Sequence, residues 1–175
     1  MRVTPAVACL VALMAPASGA QAASVHIVAL GASNTYGHGR GSTNGGVEPS
    51  QAFPAQLEAM LRARGVDAHV ANAGIPGDTT GGMLGRLGSA VPNGTQIVIL
   101  QPGGNDRRHG QGASSAGNVA AIQQQLAARH IRVIITGMPA PASTRDPDGQ
   151  HFNAQGHTAV AASLVPKVMA AMRGK

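Results

Sequence analysis

The chain has 175 residues and a formal charge of +6, with no tryptophan, one tyrosine and two phenylalanines. It therefore lacks the aromatic platforms on which nucleic-acid bases stack, and its basic residues are scattered except for Arg107-Arg108-His109, a pattern that argues against nucleic acid as a partner and for a solvated basic surface. The lone cysteine, Cys9, excludes an internal disulfide.

The first 22 residues differ in composition from the rest. A weak basic start at Met1-Arg2 is followed by the apolar run Val7 to Met14 and by the small residues Ala15 to Ala23, with Ala20-Gln21-Ala22 fitting a cleavage site. Pro5 and Pro16 bound an apolar core of about ten residues, short of the roughly 20 that span a bilayer. Residues 1–22 are thus expected to be a secretory signal peptide, cleaved near Ala22, and residues 23–175 one secreted or periplasmic domain without a membrane span. Loss of the leader removes Cys9, so no thiol nucleophile or cysteine metal site remains.

The mature chain begins with Val25-His26-Ile27-Val28-Ala29-Leu30, a nearly continuous apolar run of the kind buried on both faces of a parallel sheet. It stops at Gly31-Ala32-Ser33. The spacing and the following His38 do not match a Walker phosphate loop, nor do the glycines match the dinucleotide fingerprint. Parallel strands open their ligand crevice at the carboxyl ends, which makes Ser33 a candidate nucleophile.

Phe53, Leu57, Met60 and Leu61 recur at helical spacing, and Gly65 supplies the stop. Val66 to Ala71 predicts a second strand, ending in the turn Asn72 to Gly77. A helix capped by Asp78 or Thr79 follows, with Met83, Leu84, Leu87 and Val91 as its buried stripe. Gln96 to Leu100 is the clearest strand, closed by Pro102-Gly103-Gly104-Asn105-Asp106. A helix from Ser114 or Ser115 to Arg129 turns Val119, Ile122 and Leu126 inward, Ile131 to Thr136 is a fourth strand, and a last helix runs from about Asn153 to Met172 with a kink expected at Pro166.

Strands alternating with helices predict a parallel sheet covered on both faces. Right-handed crossovers then bring the strand ends to one rim. That gathers a hydroxyl, Ser33, an imidazole, His151, a carboxylate, Asp148, and three possible oxyanion donors: the backbone amides of Ser33 and Gly77 and the side-chain amide of Asn105. Acyl transfer needs this set. Each piece has a plain alternative: Asp148-Gly149 as a turn, Asn105 as a turn former, His151 as a surface histidine.

Leu30-Gly31-Ala32-Ser33-Asn34-Thr35, Asn72 to Thr79, Gly103-Gly104-Asn105-Asp106 and Asp148-Gly149-Gln150-His151-Phe152-Asn153, taken in this order, resemble the first, second, third and fifth sequence blocks of the SGNH hydrolases, a branch of the GDSL esterase and lipase family. The resemblance implies a three-layer α/β/α sandwich with a flavodoxin-like parallel sheet of about four to five strands. It implies a Ser33-His151-Asp148 triad with Ser33, Gly77 and Asn105 as oxyanion hole, and no metal or other cofactor. It also implies a small-molecule or glycan ester as substrate: a small acyl ester, an aryl ester, a thioester or a lysophospholipid. A carbohydrate O-deacetylase, or a non-catalytic envelope- or carbohydrate-binding relative, are the alternatives.

Two departures stand out. Ala32 replaces the family's usual aspartate, and only eleven residues separate Thr136 from Asp148, which implies an open acyl site. Arg107, with its neighbour Arg108, is a candidate for contacting an anionic substrate group. Phe152, where the family commonly has proline, either lines the pocket or packs under the last helix. The sequence leaves the oligomeric state open.

Overall fold

A computed structural model describes residues 24–37, 46–137 and 142–174. The expected leader, residues 1–22, lies outside them. Four parallel strands, β1 (Val25–Gly31), β2 (Ala68–Gly74), β3 (Ile97–Gln101) and β4 (Arg132–Ile135), form one sheet in the order β2-β1-β3-β4. The central strands β1 and β3 carry the longest apolar runs because both their faces are covered.

Alternation along those strands divides the core in two. Ile27, Ala29, Ile97 and Ile99 face Phe53, Leu57 and Leu61 of α2 (Phe53–Arg62) and Val160, Leu164 and Val168 of α7 (Ala154–Arg173). Val28, Leu30, Val98 and Leu100 face Met83 of α3 (Thr80–Gly85), Leu87 of α4 (Leu87–Ala90), and Ile122 and Leu126 of α6 (Ser115–Ala128). The result is the expected three-layer α/β/α sandwich, and the four strands lie within the expected number. Two single-turn helices, α1 (Ser33–Tyr36) and α5 (Asn105–Arg108), follow shortly after the ends of β1 and β3, and short 3-10 turns lie at Pro49–Gln51, Gly112–Ser114 and Ala142–Thr144.

β3 and β4 differ from the sequence reading by one residue at each end, and three larger differences have a physical reason. β2 begins two residues later and runs on through Asn72-Ala73-Gly74, because the ladder with β1 continues until Gly31 pairs with Gly74. Residues expected to turn are thus held straight by the neighbouring strand. The helix after the second block is broken at Arg86 into α3 and α4. Gly81, Gly82, Gly85 and Gly88 each weaken it by about 1 kcal/mol relative to alanine, and the Arg86 side chain has a task elsewhere. α5 occupies residues read as a turn. Pro166 lies inside α7, which runs on to Arg173.

Thr79 rather than Asp78 caps α3, its side chain accepting from the Gly82 amide at 3.1 Å. Asn153 caps α7 through the Gly156 amide at 2.9 Å. Among the described residues no helix is long and apolar enough to cross a membrane.

Candidate active site

The paired ends of β1 and β2 fix where Ser33 emerges. α1 folds directly over Gly74, where a Cβ would lie 2.3 Å from the Tyr36 backbone nitrogen, so any larger residue there would lift the helix that begins with Ser33. Thr35 anchors the same turn to β3, its buried hydroxyl donating to Gln101 Oε1 at 2.7 Å. Ser33 is thereby placed at the sheet rim with its side chain half-buried.

His151 reaches it from a loop 118 residues away. Its Nε2 lies 2.9 Å from Ser33 Oγ, and its Nδ1 lies 2.6 Å from Asp148 Oδ2. The other carboxylate oxygen, Oδ1, accepts from the backbone amides of Gln150 at 2.8 Å and His151 at 3.0 Å. Burial alone would raise the Asp148 pKa, but the hydrogen bonds from the His151 ring and the two amides, with the attraction of a charged His151, hold it at about 2. An ionised Asp148 keeps the proton on Nδ1 and leaves Nε2 as the acceptor facing the serine. The His151 ring is almost wholly buried, so its orientation is set by packing as well as by the carboxylate.

Asn34 ties the serine turn to the histidine loop. Its Oδ1 accepts from the Phe152 amide at 2.8 Å and its Nδ2 donates to the Gln150 carbonyl at 3.2 Å, bracketing His151 on both sides. Sequence reasoning missed this residue; it adjoins Ser33, but nothing local marks its partners.

The expected oxyanion donors converge on the same rim. Ser33, Gly77 and Asn105 line one cavity with His151, Pro76, Arg108 and His109. Gly77 has φ +81°, a backbone state that favours glycine, in the turn where the Asp78 amide donates to the Ile75 carbonyl. Asn105 is 6% exposed; one hydrogen of its side-chain nitrogen goes to the Asp78 carbonyl at 2.8 Å, and its Oδ1 accepts from Arg108 Nη1 at 2.7 Å. Both contacts would be reversed by an amide flip, so they fix which way the NH2 group points and leave its second hydrogen for the cavity. Asp106, next in sequence, turns inward and takes the Thr80 amide and hydroxyl, pinning α5 to α3.

Arg86 is a second residue that sequence reasoning missed. Its Nε donates to Asp78 Oδ2 at 2.8 Å, and its Nη2 donates to the Gly31 carbonyl at 3.1 Å and the Ala73 carbonyl at 2.9 Å. One guanidinium thus holds the end of β1, the end of β2 and the Gly77 turn together. An arginine in a broken, glycine-rich helix gives no sequence signal of that role.

Of the two residues expected to contact substrate, Arg107 lines the cavity beside Ser33 and Phe152 does not. The Phe152 ring is 1% exposed, packed in the α2–α7 core and edge-on to His157 with ring centroids 5.5 Å apart. Its backbone faces the site while its side chain points away, so it is assigned to the core. His157, also buried, accepts the Phe53 amide on Nδ1 at 3.2 Å, and burial lowers its pKa to about 4. Among the described residues no three metal-ligating side chains cluster.

This fold, with a serine turn at its rim and the four blocks gathered there, defines an acylhydrolase-type architecture. The chain belongs to the GDSL-like lipase/acylhydrolase family, whose model matches residues 29–165. Over 98 residues it is 34% identical to esterase TesA of Pseudomonas aeruginosa, a match covering 55% of this chain. The chain spans about half the length of that curated relative (49%). Among solved structures it is similar to AlinE4, an SGNH-hydrolase family esterase, with 27% identity, a TM-score of 0.59, and coverage of 85% of this chain and 74% of that one. A carbohydrate acetylesterase family member from Sinorhizobium meliloti shares the fold at 17% identity and a TM-score of 0.66, over 85% of this chain and 99% of that one.

Proposed function

We propose that the protein is an exported serine esterase that hydrolyses carboxylic esters of small acyl, aryl, thioester or lysophospholipid type. The observation that carries this reading is the continuous chain of contacts from Ser33 Oγ to His151 Nε2 at 2.9 Å and from His151 Nδ1 to Asp148 Oδ2 at 2.6 Å. Family membership supports it independently.

In this reading Ser33 Oγ attacks the ester carbonyl while His151 Nε2 takes its proton, then returns it to the leaving alcohol or thiol. Asp148, held ionised, stabilises the imidazolium and its tautomer. The oxyanion is received by the Ser33 and Gly77 amides and the remaining hydrogen of Asn105 Nδ2, donors from the three residues that line the cavity with His151. Water then attacks the acyl-serine with His151 as base, and the serine is regenerated. Residues 1–22 act as the export signal and deliver the domain to the periplasm or beyond.

Hydrolysis of 4-nitrophenyl acetate by residues 23–175 tests this directly. Turnover is expected, and Ser33→Ala is expected to lower kcat by roughly 10⁴-fold or more. Equal inactivity of both proteins toward acetyl, aryl, thioester and O-acetyl glycan substrates would instead leave a binding protein.

A further inference from the structure

Ser33 and His151 also border a second cavity, of about 250 Å3, which extends over Ala32 and the Gln101–Gly104 turn. Among the described residues its walls carry Arg107, Arg108 and Arg145 and no carboxylate. Three guanidiniums beside a nucleophile need an account.

Among the described residues no carboxylate forms an ion pair with these three guanidiniums. Arg108 donates to Asn105 Oδ1 and Gln150 Oε1, and Arg145 Nη1 donates to the Gly149 carbonyl at 3.1 Å, all neutral acceptors. Arg145 Nε is buried and finds no acceptor among the described residues. Such partners orient a guanidinium without neutralising it. Four of the chain's seven acidic residues have partners elsewhere: Glu58 with Arg62 and His69, Asp78 with Arg86, Asp106 with Thr80, and Asp148 with His151. Asp67 lies at the amino end of β1, where its carbonyl accepts the Val25 amide, and Glu48 starts the turn before α2. Asp146 sits beside Asp148 and lines neither cavity. Segments 38–45 and 138–141 contain no acidic residue. Ala32, on the floor, contributes no charge.

We propose that this cavity is an anion-recognising subsite, so that the preferred ester carries an oxyanionic group, carboxylate or phosphate, on the part of the substrate lying over Ala32. The inference rests on the esterase reading above. Arginine suits this task because its fork of donors matches either oxyanion and it stays charged at every working pH. In a cleft open to water on one side, two such cations raise the transition-state affinity for a nearby anion by roughly 10- to 100-fold.

The test compares kcat/KM for matched esters. The 4-nitrophenyl monoester of adipic acid against 4-nitrophenyl hexanoate places the carboxylate on the acyl side. Acetoxybenzoate (4-isomer) against its methyl ester places it on the alcohol side, and 4-acetoxyphenyl phosphate against phenyl acetate replaces it by phosphate. At least one anionic member is expected to be favoured by about tenfold or more, with the preference lost in Arg107→Gln/Arg145→Gln and weakened in 0.5 M salt, where the screening length is about 4 Å. Because the readout is a ratio, a partly folded variant does not distort it. Arg108 is left intact, since it also holds Asn105. Ratios at or below one in all three pairs, or ratios that the double substitution leaves unchanged, would overturn the subsite while leaving the esterase standing. If no ester is turned over, the esterase reading fails, and titrating Ser33→Ala with the adipate monoester and the hexanoate ester still decides: tighter binding of the anion supports the subsite, equal binding refutes it.

Discussion

Replacing Arg86 by methionine is expected to destabilise the protein by about 3–4 kcal/mol while slowing it as an enzyme. The guanidinium and the Asp78 carboxylate are only 19% and 10% exposed, so methionine fills the stem's volume but strands a largely buried carboxylate. Breaking a buried pair from one side costs about 3–5 kcal/mol, and the two strand-end carbonyls that lose a donor add less, because water reaches the rim. That is a large share of the 5–15 kcal/mol typical of a domain. Urea unfolding at pH 7 measures the loss. The double variant Arg86→Met/Asp78→Asn is expected to be more stable than the sum of the two singles, since the second change removes the stranded charge. Activity follows because the Asp78 carbonyl holds Asn105 Nδ2. A loss under 1 kcal/mol in Arg86→Met, or strict additivity in the double variant, would show that the strut carries no such energy.

Asn34→Ala is expected to lower kcat by about tenfold with little change in KM, because it frees the histidine loop rather than any substrate contact; an unchanged kcat refutes the latch. Phe152→Ala is expected to cost about 3–5 kcal/mol of stability by opening a core cavity, with the order of preference among acyl chain lengths retained, as chemical unfolding and a chain-length series would read. His157 gives a pH signature. Its folded-state pKa is lowered to about 4 by burial, so the unfolded chain binds its proton first. The corresponding stability is complete above about pH 6.5 and is lost as pH falls toward 4, by up to roughly 3 kcal/mol. His157→Phe is expected to flatten the stability profile between those values, and a variant as acid-sensitive as the parent would contradict this. Asp148 acts in a lower window, its share disappearing between about pH 4 and 2.

The layers and the register of chemistry along the rim were legible in the sequence because they depend on periodicity and on residues at strand ends. Ile27 and Ala29 against Val28 and Leu30 sort to opposite faces as the two-residue period requires. Ser33, Asp148, His151, Gly77 and Asn105 sit together because parallel strands deliver their carboxyl ends to one edge. What the sequence concealed are long-range polar ties. Arg86 reaches three chain segments from a helix that glycines had already weakened, and Asn34 meets residues 150 and 152 from the far end of the chain. The late end of β2 was hidden for a similar reason: Asn72 to Gly74 has turn composition, and only its neighbour β1 makes it a strand. Phe152 shows the limit in a single residue, since adjacency to His151 in sequence placed its amide at the site and its ring in the opposite direction.

The His151–Asp148 pair is expected to activate the Ser33 hydroxyl. Intact-mass and peptide mass spectrometry of residues 23–175 after treatment with a 4-nitrophenyl alkylphosphonate measures this without assuming a substrate. One phosphonyl group on Ser33, added at least a hundredfold more slowly in His151→Ala, is the result expected from a proton acceptor 2.9 Å from the hydroxyl. A folded protein whose Ser33 stays unmodified, or is modified equally fast without His151, would contradict it.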